Sequence, residues 1–279
     1  PSKLPFKSNF NLDRYTFSKI PDYAQFSFDQ CEKFLNKKSI IIDDEYIHTY
    51  MMDEIVDFYN LCKDKFPLYQ SDAFWFTTLL RLFVVYDYSK RFKIDNFIHL
   101  EYDNLIYSNL ECLKHLNPSI YFTRVGPYCS SAGFMYCNSL DNFSNFIDKI
   151  KHLITKGYDV VSKYTKYPTI SEMVMIDLIY SNTKNIIDYL PILPKGVGDD
   201  NFDKLGVIFD GASYGQYISG TNAGDKSGWY GLHHYIGTML KNGLIKIEFS
   251  NNKPYIIYEN KSIDILNLHI HSKQLNKYI

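Results

Sequence analysis

The stretch Asn96-Phe97-Ile98-His99-Leu100-Glu101-Tyr102-Asp103-Asn104-Leu105-Ile106-Tyr107 is an apolar strand that stops on two acidic side chains and then resumes as an apolar run. Glu101 and Asp103 are two residues apart, so on an extended backbone both project to one side. They stand at the carboxyl end of a strand, where open α/β sheets place their ligands. Like charges held that close repel unless a cation lies between them. A hard divalent ion, ligated by one or two carboxylates and otherwise by water and substrate phosphates, meets that demand. A nucleotide or nucleotide-sugar site is the reading that follows. The plainer alternative is an acidic pair solvated in a loop, against which stand the apolar residues on either side.

Working outward, the pattern before this stretch alternates strand and helix. A strand is expected over 11–19, a helix over 22–35, a strand over 39–43 and a helix over 51–65. Ser71-Asp72 offers an N-cap for a helix reaching about residue 92, with Trp75, Leu79, Leu82, Val85 and Tyr86 on its buried face. Beyond the acidic pair come a short helix over 110–116, strands over 120–124 and 132–137, a helix capped by Asp141 and running to 154, and a helix over 171–190 ended by Pro191. A Gly-rich segment, 205–237, precedes a hairpin (244–249 and 255–258, turn 250–253) and a last strand over 263–271. No repeat or long linker divides the chain, so one continuous α/β domain is expected.

Composition narrows the function classes. The chain has 279 residues and a net charge of -1, without the basic surplus of a dedicated nucleic-acid binder. Five cysteines lack any CxxC pair, which fits a reducing compartment rather than a disulfide framework or a zinc site. Apolar runs such as 79–86 fall short of the roughly 20 residues of a membrane span, and no signal-peptide pattern opens the chain. A soluble, cytoplasmic protein is expected.

Further residues carry chemistry. Arg81, in a chain poor in arginine, lies on an otherwise apolar helix just before the acidic strand and needs an anionic partner, a carboxylate or a diphosphate, if it is buried. On a surface it would need none. In Asn267-Leu268-His269-Ile270-His271-Ser272-Lys273, alternation puts Asn267, His269 and His271 on one face. Two imidazoles followed by a lysine suit a metal ligand and a phosphate contact. Exposed histidines near a terminus are the alternative, and His233-His234 competes as the histidine source. Within the Gly-rich segment Asp210 and Gln216 could bind sugar hydroxyls, or Asp210 could be a helix cap; the segment has neither P-loop nor dinucleotide-turn spacing.

Four segments together resemble the GT-A glycosyltransferases. Glu101-Tyr102-Asp103 with its apolar continuation looks like the DxD motif, and Thr77-Thr78-Leu79-Leu80-Arg81-Leu82 resembles the helix preceding it in the glycogenin-like and lipopolysaccharide galactosyltransferase-like branches. Ser130-Ser131-Ala132-Gly133-Phe134-Met135-Tyr136-Cys137-Asn138 resembles the small-residue strand lining the donor sugar, and His269-Ile270-His271-Ser272-Lys273 is placed like the late histidine and lysine of the metal and diphosphate site. The string 73–107, with 209–220 and 267–273, is similar to uncharacterised bacterial and viral glycosyltransferase-like proteins. Two departures stand out: Glu101 replaces the first Asp of the motif, and no Gly precedes the lysine, which leaves the metal histidine open among His234, His269 and His271.

The resemblance implies a Rossmann-like mixed sheet flanked by helices with a C-terminal β-hairpin region, in which about 1–107 bind the nucleotide and about 108–279 the sugar and acceptor. It implies transfer from a nucleotide-diphosphate sugar to a glycan or other hydroxyl acceptor, without nucleic acid or a membrane span. Mn²⁺ or Mg²⁺ would be held by Glu101, Asp103, His269 and His271. Arg81, Glu101, Gly133, Gln216 and Lys273 would bind substrate, and Tyr102 or Trp229 could stack on it. An inverting enzyme needs a general base, for which Glu172, Asp177 and Asp210 are candidates; the resembling branches are retaining. A non-catalytic nucleotide- or carbohydrate-binding domain and a metal-dependent phosphohydrolase are the competing readings.

Overall fold

A computed structural model describes residues 20–36, 39–63, 65–66, 74–165, 170–183, 185–220 and 235–279. In chain order its principal elements are α1 (Ala24–Leu35), α2 (Asp44–Tyr50), α3 (Met52–Lys63), α4 (Phe74–Arg91), β1 (Phe97–Leu100), β2 (Asn104–Ile106), β3 (Ile120–Gly126), β4 (Cys129–Cys137), α5 (Leu140–Lys156), α6 (Tyr158–Val161), α7 (Glu172–Asn182), β5 (Ile187–Leu190), α8 (Phe202–Leu205), α9 (Ser213–Ser219), α10 (Tyr235–Lys241), β6 (Lys246–Ser250), β7 (Lys253–Tyr258), β8 (Lys261–Asp264) and β9 (Asn267–His269). The class is mixed α/β. The main sheet has the order β1-β4-β3-β5, with β4 antiparallel to both neighbours and β3 parallel to β5. Among the described residues no helix is long and apolar enough to cross a membrane.

Period-two alternation divides the core between the faces of this sheet. Ile120, Phe122, Met135 and Cys137 enter a cluster with Leu79 and Leu82 of α4, Phe143, Phe146 and Ile150 of α5, and Met175 and Ile179 of α7. Tyr121, Phe134 and Tyr136 point the other way, against Leu113, Phe209 and Leu266. A third cluster joins Leu105, Tyr107, Ile208, Tyr214, Leu268 and Ile270 beneath the C-terminal half. Between these layers β2 pairs antiparallel with β9, so that the acidic turn and the last strand share one ladder.

Several sequence expectations change in detail. Residues 39–43 form no strand: the isoleucines find no ladder, and Asp43 instead caps α2 by accepting from Tyr46 N at 3.0 Å. The helix expected over 171–190 stops at Asn182; Asn185 turns left-handed (φ 68) and Ile187–Leu190 becomes β5, because β3 offers an open edge to a β-branched and aromatic run. Ser139, not Asp141, caps α5, its hydroxyl accepting from Asn142 N at 3.2 Å. The expected last strand divides at Ile265, which leaves the β6-β7-β8 meander to bridge Ile208, so that β9 can pair with β2. The hairpin turn is where it was expected, with Asn251 and Asn252 both left-handed (φ 49 and 59), as a two-residue type I′ turn requires. The strand expected over 11–19 and the Ser71-Asp72 cap lie outside the described residues.

Candidate metal and phosphate site

β1 delivers Glu101 to its carboxyl end, a tight turn follows (Asn104 N donates to Glu101 O at 3.0 Å), and β2 begins at once. The ladder sets Asn104 opposite His269, and Ile270 N donates to the carbonyl of Asp103 at 2.7 Å. That register brings the late histidines onto the acidic turn. His269 Nε2 lies 2.8 Å from Glu101 Oε2 and 3.1 Å from Asp103 Oδ1. The His269 and His271 rings are 4.1 Å apart, on the shared face that alternation predicts. Donor atoms of Asp103, His269 and His271 all fall within 4.8 Å of one another.

The chain supplies its own cations around this cluster. Arg81 Nη1 pairs with Glu101 Oε1, and its Nη2 stands 3.8 Å from Glu172 Oε1. Thr78 completes Glu172, its hydroxyl donating to Oε2 at 2.7 Å. Lys273 Nζ pairs with Asp103 Oδ2. Burial alone would push the Asp103 carboxyl up, but His269 and Lys273 hold it well below the usual carboxylate range. Burial pushes His271 down to about 2, which keeps its imidazole neutral and able to ligate a metal. Glu172 is raised by burial against the pull of Arg81, whose own guanidinium is lowered by burial.

A buried polar scaffold fixes these groups. Asp210 Oδ1 accepts from the backbone N–H groups of Ala212 and Tyr214, and Oδ2 from those of Gly215 and His269, at 2.7–3.0 Å. A carboxylate has about four lone-pair sites, so this side chain is fully engaged in holding α9 and β9. Burial raises its pKa against those donors. Asn267 donates to Asn104 Oδ1 at 2.8 Å, and Asn104 donates to Gly133 O at 2.9 Å. Gln216, on α9, sets its amide nitrogen 2.9 Å from His271 Nδ1. Two glycines permit the close approach. A Cβ on Gly133 would meet His269 Cε1 at 2.6 Å and Glu101 Oε2 at 3.0 Å, and one on Gly215 would meet the His269 carbonyl oxygen at 2.0 Å.

Of the residues singled out in the sequence, Arg81, Glu101, Asp103, Gly133, Glu172, His269, His271 and Lys273 thus gather in one place, with Gln216 against His271 and Asp210 behind the backbone. Asp177 lies elsewhere, 3.8 Å from Arg124 and accepting from the Tyr189 hydroxyl at 3.3 Å. Tyr102 packs edge-on against Phe28. His233, His234 and Trp229 lie outside the described residues. Sequence reading placed Asn267 on the face of the two histidines but gave no role to Thr78, Asn104 or Gly215. Asn267 had a signal, as a polar residue between Leu266 and Leu268. No protein-family model, curated protein or solved structure matches the chain.

Proposed function

We propose that this chain is a metal-dependent glycosyltransferase of GT-A type that moves a sugar from a nucleotide-diphosphate donor to a hydroxyl acceptor such as a glycan. The observation that carries the reading is the meeting of the strand-end pair Glu101/Asp103 with His269, His271 and Lys273 from the far end of the chain. A mixed sheet flanked by helices, with the acidic turn at the carboxyl end of β1, accords with it.

The donor set fits a divalent ion. His269 Nε2 stands 2.8 Å from Glu101 Oε2 and 3.1 Å from Asp103 Oδ1, so one ring nitrogen and two carboxylates converge where a shared cation would be held. Asp103, His269 and His271 would hold the ion, with Glu101 alongside; two imidazoles favour Mn²⁺ over the all-oxygen preference of Mg²⁺. When bound, the ion supplies Lewis-acid stabilisation to the leaving diphosphate. Lys273 adds positive charge for the same leaving group. Arg81 orients Glu101 while Thr78 and Glu172 hold Arg81, and Gly133 leaves room for the His269 ring. Glu172 and Asp210 act here as positioning groups, since both carboxylates are engaged by donors of the chain.

The built-in pairs Arg81–Glu101 and Lys273–Asp103 favour one alternative, a nucleotide- or carbohydrate-binding domain that has dispensed with turnover. A panel of nucleotide sugars incubated with Mn²⁺ separates the two. Donor hydrolysis or transfer that disappears in Asp103→Ala is expected. Nucleotide-dependent thermal stabilisation without turnover of any donor would leave only the binding domain, and no stabilisation by any nucleotide or by a panel of glycans would remove both.

A further inference from the structure

The Asp103 carboxylate is buried, while the cation beside it is partly exposed. The carboxylate is held on a two-strand ladder and its side chain is 5 % exposed; the Lys273 side chain is 36 % exposed, on a left-handed turn residue (φ 63) just beyond β9, with its ammonium 5.7 Å from the Tyr23 ring centroid. Arg81 differs, being enclosed by Glu101 and Glu172 at mid-helix. Lys273 Nζ therefore stands on one oxygen of the carboxylate whose other oxygen faces His269, next to the space that a divalent ion held by Asp103, His269 and His271 would take.

From this juxtaposition we infer that Lys273 is a tethered counter-ion that a divalent metal displaces, and that the displaced ammonium then serves as a binding group for the diphosphate of the donor. The inference rests on the metal-site reading above and adds an order to it. A dication and an ammonium on one carboxylate repel, so metal arriving alone works against the Lys273–Asp103 pair. A diphosphate gives the released lysine a new anionic partner, so each ligand tightens the binding of the other, reciprocally. The lysine also spares a buried carboxylate from standing uncompensated before metal arrives.

Mn²⁺ binding measured by calorimetry on wild type, Lys273→Met, Lys273→Arg and Asp103→Ala tests this, with inorganic pyrophosphate as the second ligand. In Lys273→Met, Mn²⁺ alone should bind about tenfold tighter than in wild type, and pyrophosphate at saturating Mn²⁺ about tenfold weaker. Lys273→Arg, which keeps the charge, should stay near wild type in the first measurement. A lysine that only props up the fold would weaken both ligands when removed. If Lys273→Met does not fold, Lys273→Gln is read for the same pair of opposite shifts. Mn²⁺ binding no tighter without the lysine, in an assay where Asp103→Ala abolishes it, overturns the exchange and leaves the metal site standing. Wild type that binds no Mn²⁺, or binds it no better than Asp103→Ala, removes the metal site and the exchange together.

Discussion

Asp103 carries the heaviest electrostatic load in the site: one oxygen faces His269, the other Lys273, and the carboxyl is held below its ordinary range despite burial. On the proposed reading, Asp103→Ala should therefore lower metal-dependent turnover by at least about a hundredfold, the usual scale for removing one preorganised charge-stabilising group. Initial rates with a responsive donor measure it. Glu101→Gln should cost less, because Glu101 is the more exposed of the two and is already engaged by Arg81; equal losses in the two variants would argue against this ranking. Gly133→Ala probes the same residues sterically. A methyl group 2.6 Å from His269 Cε1 forces that ring to move, so Mn²⁺ affinity should fall by about tenfold or more, as when a group orienting a metal ligand is lost. Unchanged affinity in a Mn²⁺ titration would remove His269 from the ligand set.

At the scale of elements, α9 and β9 are bound to each other through Asp210 and Gly215. Asp210→Ala strands four backbone N–H groups in the core and should destabilise by roughly 3–5 kcal/mol, read from the denaturation midpoint. Ser139→Ala, which removes only the α5 cap, should cost about 1 kcal/mol and leave Mn²⁺ binding unchanged. Elements were legible in the sequence where local pattern governs them: α5 as a helix reaching 154, the hairpin turn at 250–253, and β3 and β4 as two successive strands. They were not legible where a distant partner decides. Residues 187–190 have the apolar density of a helix end and become a strand because β3 is there to pair with them. Residues 39–43 have the composition of a strand but pair with no strand among the described residues, and Asp43 caps the next helix instead.

Across the whole molecule, stability should follow ligand and pH. A nucleotide diphosphate with Mn²⁺, at a hundred times its dissociation constant, should stabilise the fold by about 2.7 kcal/mol, visible as a raised melting temperature that Asp103→Ala does not show. Acid acts in the opposite sense. His99 and His271 are kept neutral by burial, down to about 3 and about 2 from an ordinary 6.5, so below 6.5 the unfolded chain takes up protons that the fold refuses. Stability is then complete above 6.5 and declines as pH falls, by up to about 1.4 kcal/mol per pH unit for each histidine. Asp103 adds to the loss below its ordinary value, whereas Glu172 and Asp210, raised by burial, oppose it by taking up protons in the folded state first. Thermal unfolding between pH 7 and pH 5 should show the melting temperature falling, with His99→Gln removing part of the slope; a flat profile would contradict the half-buried, neutral histidines.

The sequence alone determined the mixed α/β class, the acidic strand end, the shared face of His269 and His271, and the need of Arg81 for an anion, because each depends on residues within a turn or a strand of one another. Only the tertiary structure decided that Lys273, 170 residues away, answers Asp103, that Arg81 is answered by both Glu101 and Glu172, and that Asp210 is spent on backbone donors. Those pairings depend on the ladder that carries β9 back to β2, and a buried charge takes whichever partner that ladder brings within reach.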